Sequence, residues 1–200
     1  MKEVQGFGDS AIATLQTNAN VPEGMGVEGH YHVVCRDKNG NIKWEEEFPN
    51  LVVAAGKQLM LDTLLKGSSY SVTGPFLGLT NATLTPAATD TMTTLVGGGK
   101  EFTAYTVGGS AVRGTASFGS ATSAGSTPSN VTTSTASAIT YTITGGGGTV
   151  YGCFLVLGTG AVSTQSSTAG TLYSEGNFST AKVTTAGDTV SVTYSTTATS

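Results

Sequence analysis

Residues 27–70 read VEGHYHVVCRDKNGNIKWEEEFPNLVVAAGKQLMLDTLLKGSSY, and the fold class turns on this stretch. Gly29-His30-Tyr31-His32-Val33-Val34-Cys35-Arg36 is rich in β-branched and aromatic residues, which suit a pleated, half-buried surface. Asp37-Lys38-Asn39-Gly40 follows, and Asn-Gly readily takes the positive φ that a tight reversal demands. The return strand, Asn41–Phe48, sends Ile42, Trp44, Glu46 and Phe48 to one face and Lys43, Glu45 and Glu47 to the other. A hairpin with one mostly apolar and one charged face is expected, closed by Pro49, which has no N–H for a ladder. Beyond Leu51-Val52-Val53 the pattern becomes helical, with Leu59, Met60, Leu61, Leu64 and Leu65 at i, i+3 and i+4 spacings. A helix over about Ala54–Lys66 is predicted, stopped at Gly67-Ser68, with its leucines packed over a face or end of a sheet.

Downstream, the chain reads as a series of short strands: Phe76–Thr80, Phe102–Thr106, Val112–Ser117, Ile139–Ile143, Val150–Leu157, Ala181–Val183 and Thr189–Tyr194. Tracts of Gly, Ser, Thr and Pro separate them, and Gly145–Gly148 reads as a turn because no Lys-Ser/Thr follows it to make a phosphate cradle. The tracts Thr83–Thr94 and Gly119–Ser129 are long for hairpin turns, a length usual for functional or mobile loops or for segments lying on neighbouring subunits. Many short strands and one helix predict a mainly β fold, an antiparallel β-sandwich or jelly-roll-like domain, with one short α-helix after an N-terminal hairpin. Residues 1–26 are polar, rich in Gly and Asn and weakly periodic, as expected of an N-terminal arm. Residues 27–200 then form a single β-rich domain, hairpin and helix over 27–70 and the β-series over 71–200.

Two hundred residues suffice for one domain with a true core. Only 11% of them are charged, and Asp, Glu, Lys and Arg concentrate at or before Lys66. A surface dressed in hydroxyls rather than ions fits a β-rich protein, whereas disorder would need high net charge and few apolar residues. A net charge of −4 and a pI near 5.0 leave no basic footprint for nucleic acid. No run approaches a membrane span, and MKEVQGFGDSAIATL lacks the basic-then-apolar pattern of a secretion signal, so synthesis in a cytoplasm without classical export is expected. Cys35 and Cys153 sit in apolar runs, where two buried free thiols are favoured over a disulfide.

The candidates for chemistry are few. His30 and His32 share a strand face and could begin a metal site if Glu45 or Glu47 on the partner strand completed it. A solvated polar face with His opposite Glu is the favoured reading, and with only two histidines in the chain a three-histidine site is excluded. Alternation splits Glu45-Glu46-Glu47 between two faces, which suits a charged strand that discourages wrong pairing better than an acid–base pair. No Gly-x-Ser-x-Gly elbow occurs. The triplets starting at Asn81, Asn130 and Asn177 match glycosylation acceptors but mean little in a Thr-rich chain without a secretion signal. The aromatics, scattered singly through the β-series, look like core residues rather than a sugar platform. No catalytic, cofactor-binding or metal-ligating residue is assigned, and an enzyme is not expected.

Phe48-Pro49-Asn50-Leu51-Val52-Val53, Gly56, Leu61-Asp62 and Leu65-Lys66-Gly67-Ser68-Ser69-Tyr70 resemble a family of tailed-bacteriophage and prophage virion proteins. The likeness continues in order through Phe76-Leu77-Gly78-Leu79, Asp90-Thr91-Met92, Glu101-Phe102-Thr103-Ala104-Tyr105 with Arg113, Gly152-Cys153-Phe154-Leu155, Gly170-Thr171-Leu172-Tyr173 and Gly187-Asp188-Thr189-Val190. Gly97-Gly98-Gly99-Lys100 stands where the resemblance leads one to expect a tryptophan. The resemblance implies a structural component of a virion assembled in a bacterial cytoplasm, most simply a capsid decoration or cement protein at capsomer junctions. Its implied partners are the major capsid protein and further copies of this chain, with no nucleic acid, membrane, small-molecule substrate or cofactor. A tail- or fibre-associated module that binds host glycans or receptors is the alternative.

Overall fold

The computed structural model describes residues 26–66, 72–121, 129–132 and 138–199. The expected arm, the Gly67-Ser68 stop and most of the Gly119–Ser129 tract lie outside the described residues. Strands β1 (Gly26–Arg36) and β2 (Ile42–Val52) form the hairpin. Its reversal is held as the sequence implies: Gly40 has φ +88°, and Asp37 Oδ1 accepts the backbone N–H groups of Asn39 and Asn41. Helix α1 (Ala54–Leu65) follows directly.

The rest of the chain adds β3 (Phe76–Thr80), a one-turn helix α2 (Met92–Leu95), β4 (Glu101–Phe102), β5 (Tyr105–Thr106) and β6 (Gly114–Thr115). Then come β7 (Ser129–Thr132), β8 (Ile139–Ile143), β9 (Gly148–Leu157), β10 (Thr171–Thr184) and β11 (Thr189–Thr199). The strands form one antiparallel sheet in the order β4-β3-β9-β10-β2-β1-β11-β8-β5, with β6 on β3 and β7 on β11. Strand β2 turns the corner between two layers: His32–Arg36 of β1 lie against its first half, while Leu51 and Val52 pair with Glu175 and Ser174 of β10. At the far side β4 and β5, the two ends of the strand order, are separated in sequence only by Thr103 and Ala104. The sheet is therefore nearly closed on itself, as the expected sandwich.

One layer (β1, β11, β8) has a wet outer face, and its inward positions alternate strictly. Tyr31, Val33, Cys35, Ile139, Tyr141, Ile143, Val190, Val192 and Tyr194 are buried in the central core. The other layer (β10, β9, β3) is covered on both sides, which explains why Cys153-Phe154-Leu155-Val156 is apolar without alternation. Leu155 and Cys153 enter the central core, while Phe154 and Val156 join a second core with Leu84, Met92, Leu95, Val96, Ala161 and Leu172. That second core lies beneath two straps, residues 81–100 and 158–170.

Several expectations need correction. Pro49 does not end β2; ladder pairing with β10 begins only at Leu51, so a residue without N–H leaves no bond to β10 unmade at position 49. Ile42 is exposed rather than core, because a bulge at Cys35/Arg36 shifts the register at the hairpin mouth. The stretch Phe102–Thr106 is not one strand but two, since Phe102 pairs with β3 and Tyr105 with β8 across the sandwich. Ala181–Val183 is only the end of a 14-residue strand, which polar and glycine residues concealed. Helix α2 was not foreseen; at four residues it exists through its Thr91/Thr94 capping box and the apolar seat of Met92 and Leu95. The tract Thr83–Thr94 is a packed strap rather than a free loop. Finally, α1 buries only Gly56 and Leu59 and leaves Leu61, Leu64 and Leu65 exposed.

Helix α1 lies so close to β10 that Gly56 is sterically required. A Cβ there would stand 2.5 Å from the Tyr173 carbonyl oxygen and 2.9 Å from its Cα. Gly to Ala inside a helix ordinarily stabilises by about 1 kcal/mol. Here Gly56→Ala should reverse that sign and cost about 1–3 kcal/mol, because backbone must move to admit the methyl group. Urea denaturation of the two proteins measures it.

Candidate functional site

The polar hairpin face is the first place to look. His32 stands opposite Glu47 in the register, and its Nε2 donates to Glu45 Oε1 at 2.7 Å. Both side chains are well exposed, at 38% and 50%. His30, His32, Glu47, Thr193 and Ser195 line a shallow depression. No group of three or more His, Cys, Asp or Glu among the described residues is arranged to hold a metal ion. What the face offers chemically is an exposed cross-strand hydrogen bond, worth at most about 1 kcal/mol.

The buried nucleophiles and phenols are held neutral. Cys35 and Cys153 are free and buried; burial pushes the Cys35 thiol up to about 11 and Cys153 higher still. Five tyrosines belong to the central core, and the four that are 1% exposed or less place their hydroxyls in different ways. Tyr31 Oη meets Ser174 Oγ at 2.9 Å, and Tyr141 Oη donates to the Leu77 carbonyl at 2.8 Å. Asn50 Nδ2 donates to Tyr194 Oη at 3.2 Å, whereas Tyr105 Oη has no partner. Burial raises all four phenols above their ordinary range. These aromatics are core, as their spacing suggested, and present no platform to a sugar.

Sequence reasoning missed the polar groups that fasten the two straps. Arg113 Nε and Nη2 donate to Glu101 Oε1 and Oε2, each at 2.8 Å, a side-on fork with both residues buried. Glu101 Oε2 also accepts the Ser166 N–H at 2.7 Å, and Arg113 donates to the Ser167 carbonyl at 2.7 Å. The guanidinium carbon lies 5.3 Å from the centre of the Phe154 ring. The pair thus pins the 158–170 strap to the covered layer. The other strap is pinned by Asn177, whose amide accepts from Leu84 N–H at 2.9 Å and donates to Leu84 O at 3.0 Å. That double bond occupies the Asn177 side chain, so it is no free glycosylation acceptor; Asn81 likewise donates to the Gly99 carbonyl. The side chain of Asn130 lies outside the described residues. Beside Asn177, buried Glu175 lines one small pocket with Asp90 and Lys100. The sequence carried a signal for these ties: they are the sparse charges of an otherwise neutral β-series.

A wide apolar opening lies beside α1. Leu59, Met60 and Leu64 face Val72, Phe118, Leu157 and Tyr173 across a groove of about 560 Å³. Leu64 and Leu65 on the same helix are 77% and 75% exposed, with Leu61 beside them. Exposed leucines beside an apolar groove mark a contact surface rather than a reaction centre, since the ionisable groups lining it are the phenols of Tyr173 and Tyr194, both raised by burial. No helix among the described residues is long and apolar enough to cross a membrane.

Replacing Arg113 by Met should destabilise the fold by about 3–5 kcal/mol, because Glu101 would stay buried without its counter-charge. Arg113→Met with Glu101→Gln should recover part of that loss, a coupling that a double-mutant cycle in guanidinium measures. His32→Ala should change stability by less than about 1 kcal/mol in the same assay.

Comparison of the chain with protein-family models, curated proteins and solved structures finds no match.

Proposed function

We propose that this protein is a structural component of a tailed-phage particle, a decoration or cement protein that binds equivalent sites at capsomer junctions and bridges neighbouring subunits. The observation that carries the reading is the apolar surface of α1, with Leu61, Leu64 and Leu65 exposed beside the Leu59–Tyr173 groove. A large apolar patch of this kind is what a subunit buried in an assembly presents before it is bound. The resemblance in residues 48–70 falls on this same unit of strand end and helix. The fold supports the reading in a second way: a hydroxyl-covered β-sandwich with a central core supplies a rigid body whose contact surface is a single helix. The major capsid protein and further copies of this chain are the proposed partners, and the assembled virion is the proposed location.

Mass spectrometry of purified intact particles tests the proposal by copy number. Hundreds of copies per particle are expected; absence from the particle would sink it, and a handful of copies would favour a tail- or fibre-associated receptor binder. Leu64→Asp combined with Leu65→Asp should leave the thermal transition nearly unchanged, because both side chains already face water. The same pair should abolish incorporation into particles, read by sedimentation of particles mixed with purified protein.

A further inference from the structure

The strap over residues 81–100 is fastened to β10 at two positions on one side of the strand, and the two fastenings differ in kind. Asn177 grips Leu84 through a neutral amide that no change of pH alters. Two residues earlier, Glu175 is only 2% exposed. It lines one small pocket with Asp90, which sits on the strap just before α2. Asp90 Oδ2 accepts the Ala87 N–H at 2.7 Å and Oδ1 faces the Thr94 hydroxyl at 3.4 Å, so Asp90 is committed as an acceptor. A proton between the two carboxyls therefore belongs to Glu175. Glu175 Oε1 meets no partner and lines a pocket of about 40 Å³ with Thr85, Asp90, Thr94 and Lys100, room for little more than a few waters.

From the sheet side, Glu175 is paired with Leu51 of β2 and Phe154 of β9, neither of which carries charge. From the strap, Asp90 opposes its ionisation and the Lys100 ammonium favours it. Two carboxyls in a pocket could instead hold a divalent cation, but Lys100 already places a positive charge there and no third acidic ligand converges. The proton is the ligand that fits.

We propose that this shared proton is a latch: while Glu175 donates it to Asp90 the 81–100 strap stays on the sheet, and its loss to solvent lifts the strap from the second core. Ionised, Glu175 would put a second negative charge beside Asp90 while itself only 2% exposed, and hydrating it requires the strap to open. Burial, followed by the bond to Asp90 and its charge, raises the Glu175 carboxyl to about 8. The folded chain thus holds this proton more tightly than the unfolded one. The stabilisation is complete below the ordinary carboxylate range and is lost as pH rises toward 8. Asn177 keeps one end of the strap attached throughout, and Met92, Leu95 and Val96 are the side chains that leave Phe154, Val156 and Leu172.

Hydrogen-exchange mass spectrometry of the whole protein tests this at about pH 6 and about pH 9, corrected for intrinsic exchange, with β1 and β11 peptides as references. Protection of peptides within 81–100 should fall by about tenfold or more between the two conditions while the references hold. Glu175→Gln, which keeps a neutral donor at the same place, should remove that fall. Carbon-detected NMR titration of the wild-type carboxyls is a second measurement that needs no variant, and should place the Glu175 midpoint near 8. Strap protection that does not change with pH, an equal fall in Glu175→Gln, or a Glu175 midpoint in the ordinary carboxylate range would each overturn the proposal.

Discussion

Arg113 and Glu101 carry two full charges into a region where they are 1% and 6% exposed, which costs several kcal/mol per ion unless geometry offsets it. The offset here is a two-pronged fork, three further bonds to the 158–170 strap and a guanidinium set against the Phe154 ring. Much else follows from this arrangement. With the strap in place, Phe154, Val156 and Leu172 have an apolar roof and the layer formed by β10, β9 and β3 can be buried on both faces. Without it, the outer side of that layer would be an exposed apolar sheet. The same pair also ties β4 to the chain entering β6.

The sparse charge of the second half takes on meaning in this light. All seven Asp, Glu, Lys and Arg residues after Lys66 sit at tie points. Glu101 meets Arg113, Lys182 meets Glu46, Asp188 meets Lys43, and Asp90, Lys100 and Glu175 share one pocket. Solubility is left to threonine and serine hydroxyls, which cover the outer face of β11 and β8, and to the charged side of the hairpin. Ions in this chain are rare because they are spent on joining layers that hydrophobic contact alone would leave free to slide.

Helix α1 and the strands β3 and β8 were legible in sequence to within a residue or so, and the hairpin in its turn though not in its outer strand ends, because local signals fix them: Asn39-Gly40 for the turn, leucine spacing for the helix, strict alternation for β8. Strand β10 was not, since Ser174, Glu175, Gly176 and Asn177 break every local rule for a strand. They obey tertiary demands instead, with Gly176 admitting the neighbouring backbone and Glu175 and Asn177 holding the strap. The break inside Glu101–Thr106 was equally hidden, because two strands on opposite layers read as one continuous β-former run. The helix showed the reverse error: its leucines are periodic, but periodicity says which residues share a side and not whether anything covers that side. The polar ties were visible only as isolated charges in neutral surroundings, a signal whose partners lie far away in the chain.

The strand order also governs how copies of this protein can meet. Its two terminal members, β4 and β5, are two residues long each, and the chain runs from one to the other through Thr103 and Ala104. A sheet edge that short gives a second polypeptide almost no main-chain donors and acceptors to align with. Among the described residues, these two ends therefore give little opening for fibril growth through edge-to-edge hydrogen bonding. Association is left to side-chain surfaces, which can be shaped to stop at a defined number of neighbours.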